Sequence, residues 1–413
     1  MNPNYHSTTW LLESQLAAYV DAFKRRFTEG RYVPTTVDNY LASIAHFAHW
    51  LTQSGIDIHG IDEQIVHQFL YEHLPHCDCA SRVYRVRRTL QTALNHLLSV
   101  LRANAVIEKP AIGMTPADEE LRRFDMYMSH ARGLAPSTCR QRLRVIARLL
   151  LDKFANNTVI ISAMNPDDVR KFVAKQSELC STPLSITPTI SALSGYFRYR
   201  ATQGDPVHHL TGVLCRPAKW QLASLPKTLN SVEIECLIGS LEHDGPSARR
   251  AAAIVHCALG LGLRSGEIAN LGLDDIDWRA ATIALRRTKG CREDVMPLPA
   301  AIGRAIADYL RLERPQTSNR AVFVRNIAPR DQAISHHLIS KTIRQAFARA
   351  GLPHTRPYLL RHTMANRLLE GGSSLKEVAD VLRHRSLNTT MIYAKLDSRN
   401  LAAVALPWPG SAL

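Results

Sequence analysis

The chain lacks any segment that could cross a bilayer as a helix. Its longest nearly uncharged apolar stretch, Ala251 to Leu263, carries His256 and falls well short of the ~20 residues a span requires. The start, Met1-Asn2-Pro3-Asn4-Tyr5-His6, lacks the basic region and apolar run of an export signal, so a cytoplasmic location and no membrane partner are expected. Cysteine is scarce: the eight present in 413 residues read as reduced thiols rather than a disulfide framework. Acidic residues are also in deficit. Against 51 lysines and arginines stand 36 aspartates and glutamates, giving a net charge of +15 and a pI near 9.7. Such an imbalance favours a polyanionic partner, because cationic side chains that neutralise phosphates release condensed counterions.

The deficit is uneven. Residues 1–110 hold ten charges of each sign, leaving 41 basic against 26 acidic in residues 111–413. The surface that meets a polyanion is therefore expected in the later part of the chain. With 46% hydrophobic residues the chain can bury real cores, and its length suggests two or three domains.

One group of cysteines breaks the scatter. His73, His76, Cys77 and Cys79 fall within His73-Leu74-Pro75-His76-Cys77-Asp78-Cys79, and thiolate with imidazole is zinc chemistry. The spacing matches no standard zinc module, since Cys77 and Cys79 flank a single residue. The expectation retained is a loop with buried thiols and no metal, with zinc as the alternative.

The periodicity is mainly helical, and two stretches read as the same small unit. The first runs Pro34-Thr35-Thr36, then Tyr40, Ile44 and Phe47, then Val66 and Phe69, then Leu94 and Leu97; the second runs Pro136-Ser137-Thr138, then Leu143, Ile146 and Leu149, then Val169 and Phe172, then Leu193 and Phe197. In each, proline followed by Ser or Thr is expected to open a helix as a cap does, with apolar residues recurring at helical spacing. Either the unit is duplicated, or these are the echoes any two helical bundles show. Residues 219–230, containing Leu225-Pro226-Lys227-Thr228-Leu229, read as a linker. Beyond it one β interruption is expected: strand-like runs at Ala281 to Leu285 and Asp294 to Leu298 place Lys289 near the tip of a hairpin. Helices are expected to resume at Ile302 to Leu312 and Ser340 to Ala350.

Four motifs stand in order after the linker. They are Leu261-Gly262-Leu263-Arg264-Ser265-Gly266-Glu267, Tyr358-Leu359-Leu360-Arg361-His362-Thr363, Leu382-Arg383-His384-Arg385-Ser386 and Thr389-Thr390-Met391-Ile392-Tyr393. With Lys289 in the hairpin, the segment from about Leu225 to Asp397 resembles the tyrosine recombinase, or phage integrase, family. The resemblance implies helical N-terminal domains followed by a mixed α/β catalytic domain with a small antiparallel sheet. It assigns residues 111–218 to the core-binding, SAM-like DNA-binding domain, 231–400 to the catalytic domain and 401–413 to a tail, with 1–110 as an additional N-terminal helical module.

It further implies double-stranded DNA with specific sites as partner, a synaptic tetramer on that DNA, sister recombinases as further partners, and no cofactor. Attack on a phosphodiester needs fixed cations, a nucleophile and a proton for the departing oxygen. By resemblance Arg264 and Arg361 would hold the non-bridging oxygens, His384 would stand beside the phosphate, Lys289 would protonate the leaving 5′ oxygen, and Tyr393 would attack. Tyr358 departs from the family, which usually has histidine there; a phenol is a poor base at neutral pH but can donate a hydrogen bond to the phosphate. His362 is expected to face elsewhere. The helix-start pattern Ser374-Leu375-Lys376-Glu377 reads as a capping box that fixes the helix before His384. The extra module and the Pro407-Trp408-Pro409-Gly410 ending point toward mobile-element members. Two other readings stay open: a regulator using Ser374 to Leu396 as a helix-turn-helix, and a recombinase that binds sites without cutting them.

Overall fold

The computed structural model describes residues 5–79, 83–108, 114–155, 157–218, 225–242, 245–286, 293–384 and 386–396. No described helix is long and apolar enough to cross a membrane. Compactness divides the chain into two units, Met1–Glu108 with Leu222–Leu413, and Lys109–Gln221.

Residues up to 108 form helices α1 (Tyr5–Leu12), α2 (Val20–Glu29), α3 (Pro34–Gln53), α4 (Glu63–Gln68) and α5 (Arg87–Ala103). They close on a core that includes Phe23, Phe27, Phe47, Phe69, Leu90 and Leu97. The Asp62 carboxylate accepts from Ile65 N (2.8 Å), which starts α4, and the helix runs on into a π-helical turn, Phe69–His73.

The second unit carries α6 (Pro116–Met126), α7 (Pro136–Phe154), α8 (Pro166–Glu178), α9 (Thr187–Thr202) and α10 (His208–Thr211). Its core gathers Phe124, Ile146, Leu150, Phe172, Leu193 and Phe197. Both prolines singled out in the sequence do begin long helices, but the hydroxyls after them are not caps. Pro34 and Pro136 are themselves the first helical residues, and the cap positions are Val33 and Ala135, which make no side-chain cap bond. Proline suffices there because its missing N–H would be unpaired in a first turn anyway.

The remaining elements are α11 (Ser231–Gly239), α12 (Ala248–Gly260), α13 (Ser265–Ala269), β1 (Ile276–Asp277), β2 (Thr282–Leu285), β3 (Asp294–Pro297), α14 (Ala300–Leu312), α15 (His336–Arg349), α16 (Tyr358–Glu370) and α17 (Leu375–Val381). Two 3₁₀ turns, Leu387–Thr389 and Met391–Leu396, follow. The strands form an antiparallel sheet in the order β1-β2-β3, with Ile276 opposite Ile283 and Leu285 opposite Asp294. The mainly helical class with a small antiparallel sheet is thus as expected. Strand β1 was not foreseen, because two residues carry no readable alternation. Helix α15 also begins earlier than Ser340: the Ser335 hydroxyl caps it by accepting from Leu338 N (3.3 Å), ahead of the first apolar signal.

Candidate active site

The polar residues of the four motifs meet where α13, α16 and the chain after α17 come together, and each arrives for a local reason. Gly262 follows α12 with a positive φ of 59°. A Cβ there would come within 2.9 Å of Leu382 Cδ2 and of Met364 Sδ, so both backbone and space demand glycine. Its carbonyl accepts a hydrogen bond from Arg361 Nη1. Two residues later Arg264 occupies the cap position of α13 with extended backbone, and Glu267 accepts from both its amide (2.8 Å) and its Nη1 (2.6 Å).

Arg361 lies in the first turn of α16 and is only 1% exposed. Its second terminal nitrogen donates to the Leu382 carbonyl, so the guanidinium joins the loop after α12 to the end of α17. Burial first, then the nearby Arg264 charge, pushes its pKa down to about 10. Its Nε has no hydrogen-bond partner among the described residues.

Helix α17 begins with the foreseen capping box, Ser374 N donating to Glu377 Oε2 (2.7 Å) and Glu377 N to Ser374 Oγ (3.3 Å). It ends in a Schellman turn: Arg383 N reaches Asp380 O (2.9 Å) and His384 N reaches Ala379 O (2.9 Å). The left-handed position is Arg383, φ 53°, where glycine is usual and an L side chain costs roughly 1–2 kcal/mol. That side chain is anchored instead, donating to Glu267 Oε2 at 2.9 Å. The turn delivers His384, whose Nδ1 lies 2.7 Å from Thr390 Oγ1 and whose buried Nε2 has no partner among the described residues. Burial, then Arg361, Arg264 and Arg383, push its pKa down to about 4.

Tyr393 is completely buried on the last 3₁₀ turn, its ring parallel to that of His384 (3°) with centroids 6.3 Å apart. Burial raises its pKa above the ordinary phenol value, Tyr358 adds to this, and Arg361 and Arg264 oppose it. Tyr358, the first residue of α16, is 42% exposed and stands edge-on to His362, with centroids 4.6 Å apart. Lys289 lies outside the described residues, as does the tail from 397 onward.

Residues 227–399 match the model of the phage integrase family. Over 406 residues the chain is 32% identical to a putative integrase/recombinase, y4rA, of Sinorhizobium fredii, covering 97% of this chain and 96% of that one. The chain belongs to the phage integrase family of tyrosine recombinases. It is also 29% identical to the tyrosine recombinase XerC of Azotobacter vinelandii, over 59% of this chain and 80% of that one. In fold it is similar to lambda integrase (75–356), solved as a dimer bound to a COC′ core site, at a TM-score of 0.51 and 15% identity over 71% of this chain and 99% of that one. The Tn1549 transposon integrase in complex with transposon right end DNA matches at the same score and identity, over 70% and 99%. The expectation of a recombining enzyme on a mainly helical scaffold is met.

Three features of this recombinase's site were missed in its sequence. Glu267 is 5% exposed and bridges Arg264 and Arg383; burial opposes its charge, but Arg383 and Arg264 outweigh burial and hold its pKa below the usual range. Arg383 was not singled out, although its side chain is only 5% exposed and pairs with Glu267. His362 does not face elsewhere: its Nδ1 lies 2.8 Å from Tyr393 Oη. Residues 358 and 362 are one helical turn apart and share a face of α16, the face that the tyrosine turn covers. The Glu267 link had a local signal, a carboxylate three residues after the cap position of a short helix.

Proposed function

We propose that this protein is a site-specific recombinase that cuts and rejoins double-stranded DNA through a 3′-phosphotyrosyl intermediate on Tyr393, moving or resolving a mobile element. The observation that carries the reading is the excess of cation around one buried phenol. Arg264 and Arg383 share a single carboxylate, Glu267, Arg361 beside them donates only to two backbone carbonyls, and Arg361 Nε and His384 Nε2 stay unpartnered among the described residues. A buried guanidinium N–H without an acceptor calls for an external anion, and a phosphate with two non-bridging oxygens suits a fork of guanidinium groups.

In this reading Tyr393 Oη attacks phosphorus, the P–O5′ bond breaks, and Lys289 gives its proton to the leaving oxygen. A partner strand's 5′ hydroxyl then attacks the phosphotyrosine and restores the phenol, so no cofactor is consumed. Since Tyr393 is fully buried, the turn that carries it must shift for a phosphate to reach its oxygen. The phenol proton passes to His362 Nδ1, 2.8 Å away. Burial and then Arg361 push the His362 pKa down to about 4, so the ring is neutral at pH 7 and free to accept. Because that value lies far below a phenol's, transfer accompanies P–O bond formation rather than preceding it.

A second observation supports a polyanionic partner. In the unit Lys109–Gln221 a cavity of about 120 Å³ is lined by Arg132, Arg142, Arg198 and Arg216 with no carboxylate among its lining residues. That unit is assigned to DNA binding, and residues 1–110, net neutral, to assembly of a synaptic tetramer or to outer-site contacts. Trapping of a covalent protein–DNA adduct on a nicked site tests the reading; a folded chain that binds the site and never forms the adduct would leave it a site-binding protein.

His362→Gln should slow single-turnover cleavage by about 100-fold at neutral pH, the lower range for losing a positioned acid–base group. The variant's rate should climb with pH, because the phenol must then lose its proton to solvent, while the parent stays flat from about pH 6 to about pH 9. A variant whose rate and pH profile match the parent's removes His362 from the reaction.

Tyr358→Phe is expected to cost roughly 1–3 kcal/mol of transition-state stabilisation, the range for a hydrogen bond to a charged group, and Tyr358→His to retain most of the rate. Single-turnover cleavage of the nicked site compares the three; equal rates for Phe and Tyr would make Tyr358 a packing residue.

A further inference from the structure

We propose that His46, His73, Cys77 and Cys79 form a structural zinc site in the N-terminal helical module. Their ligand atoms all lie within 4.8 Å of one another, drawn together from the middle of α3 and from the chain that leaves α4. Zn–S bonds of about 2.3 Å and Zn–N bonds of about 2.0–2.1 Å give tetrahedral ligand-to-ligand edges of roughly 3.3–3.8 Å. Two edges already have that length: Cys77 Sγ to His46 Nε2 is 3.3 Å and Cys79 Sγ to His73 Nε2 is 3.6 Å. Contraction of the remaining edges, none longer than 4.8 Å, completes the tetrahedron.

The surroundings fit a metal as well as the ligands do. His46 is 1% exposed, and its Nδ1 is 3.1 Å from the Tyr84 carbonyl. Donation to that carbonyl fixes the proton on Nδ1 and turns the Nε2 lone pair toward Cys77, the outer arrangement by which metal-bound histidines are oriented. Arg85 Nη2 holds the Cys79 carbonyl at 3.1 Å. Phe69 packs against His46 and His73 with centroid separations of 5.1 and 5.4 Å, and Trp50 against His73 at 5.8 Å, so aromatic rings line one side of the site. Both cysteines are free thiols.

Two sulfurs and two imidazoles in a closed tetrahedron select zinc and leave no open position for catalysis. Binding replaces the two thiol protons, so Zn²⁺ enters and two H⁺ leave, giving a neutral site that can be buried. Its role is to fasten α3 to the segment after the π-helical turn. His76, which the sequence grouped with the cysteines, is exposed and outside the set; His46, far back in the chain, replaces it.

The full-length chain, purified without added metal, is expected to carry one zinc per molecule by elemental analysis. Replacement with cobalt should produce the visible absorption of a tetrahedral ion and a near-ultraviolet thiolate-to-cobalt band. Cys77→Ser with Cys79→Ser, and His46→Asn, should lose the metal, while His76→Ala keeps it. The cobalt spectrum is read on the unmutated chain, so a variant that fails to fold leaves the test intact. A folded chain that takes up neither metal, a cobalt spectrum without the thiolate band, or metal lost in His76→Ala would overturn the site.

Discussion

Tyr393→Phe is expected to bind its DNA site as the parent does and to form no covalent complex. The ring stays in its buried place beside His384, and every arginine and histidine of the site remains, so phosphate binding loses nothing it depends on. What disappears is the oxygen proposed to attack. The stability change should be about 1 kcal/mol, the loss of one hydrogen bond to His362. Denaturing gels on nicked substrate measure the adduct, and a mobility shift measures binding. An adduct that persists in this variant would transfer the nucleophile to another residue, whereas lost binding with a folded chain would show that the phenol positions DNA.

Arg361→Lys is expected to lower single-turnover cleavage by about 10²–10³-fold, the range for removing one positioned donor from a transition-state site. The charge is kept, so the effect isolates the fork. Arg361 spends one N–H on the Gly262 carbonyl and one on that of Leu382, leaving Nε–H and two further N–H groups for a phosphate. A single ammonium cannot span both carbonyls and also reach the ligand. One buried carbonyl left unpaired should also lower stability by about 1–3 kcal/mol. Thermal unfolding and cleavage well below the melting temperature separate the two effects. Cleavage that recovers fully at low temperature would make Arg361 purely a structural clasp, and cleavage within a few-fold of the parent under all conditions would exclude it from the phosphate site.

Much of the site was legible because its motifs, taken in order, resemble one family, and part of its scaffold because a helix start carries a local signal. Ser374 and Glu377 announce a helix start, and the apolar face of Val378 and Leu382 announces which side of that helix is buried. These are short-range facts, set by backbone sterics and helical period, whereas Arg264, Arg361, His384 and Tyr393 were singled out by the family resemblance of the motifs that hold them. The same short range explains the misses. The proline openings of α3 and α7 were credited with hydroxyl caps although proline alone satisfied the first turn, and a two-residue strand offered no period to read.

What only the tertiary structure decided is which faces meet. His362 and Tyr393 are 31 residues apart, Cys77 and His46 also 31, and Glu267 and Arg383 are 116 apart. Periodicity tells that a residue lies on a buried or an exposed face, but not which other element covers that face. The sequence by itself therefore determined the helical class, the positions of the motif residues and the excess of positive charge. The packing of α16 beneath the tyrosine turn, of α13 against the end of α17 and of α3 against the cysteine loop decided who touches whom. Those contacts are set by shape and burial summed over whole elements, which no local stretch of chain encodes.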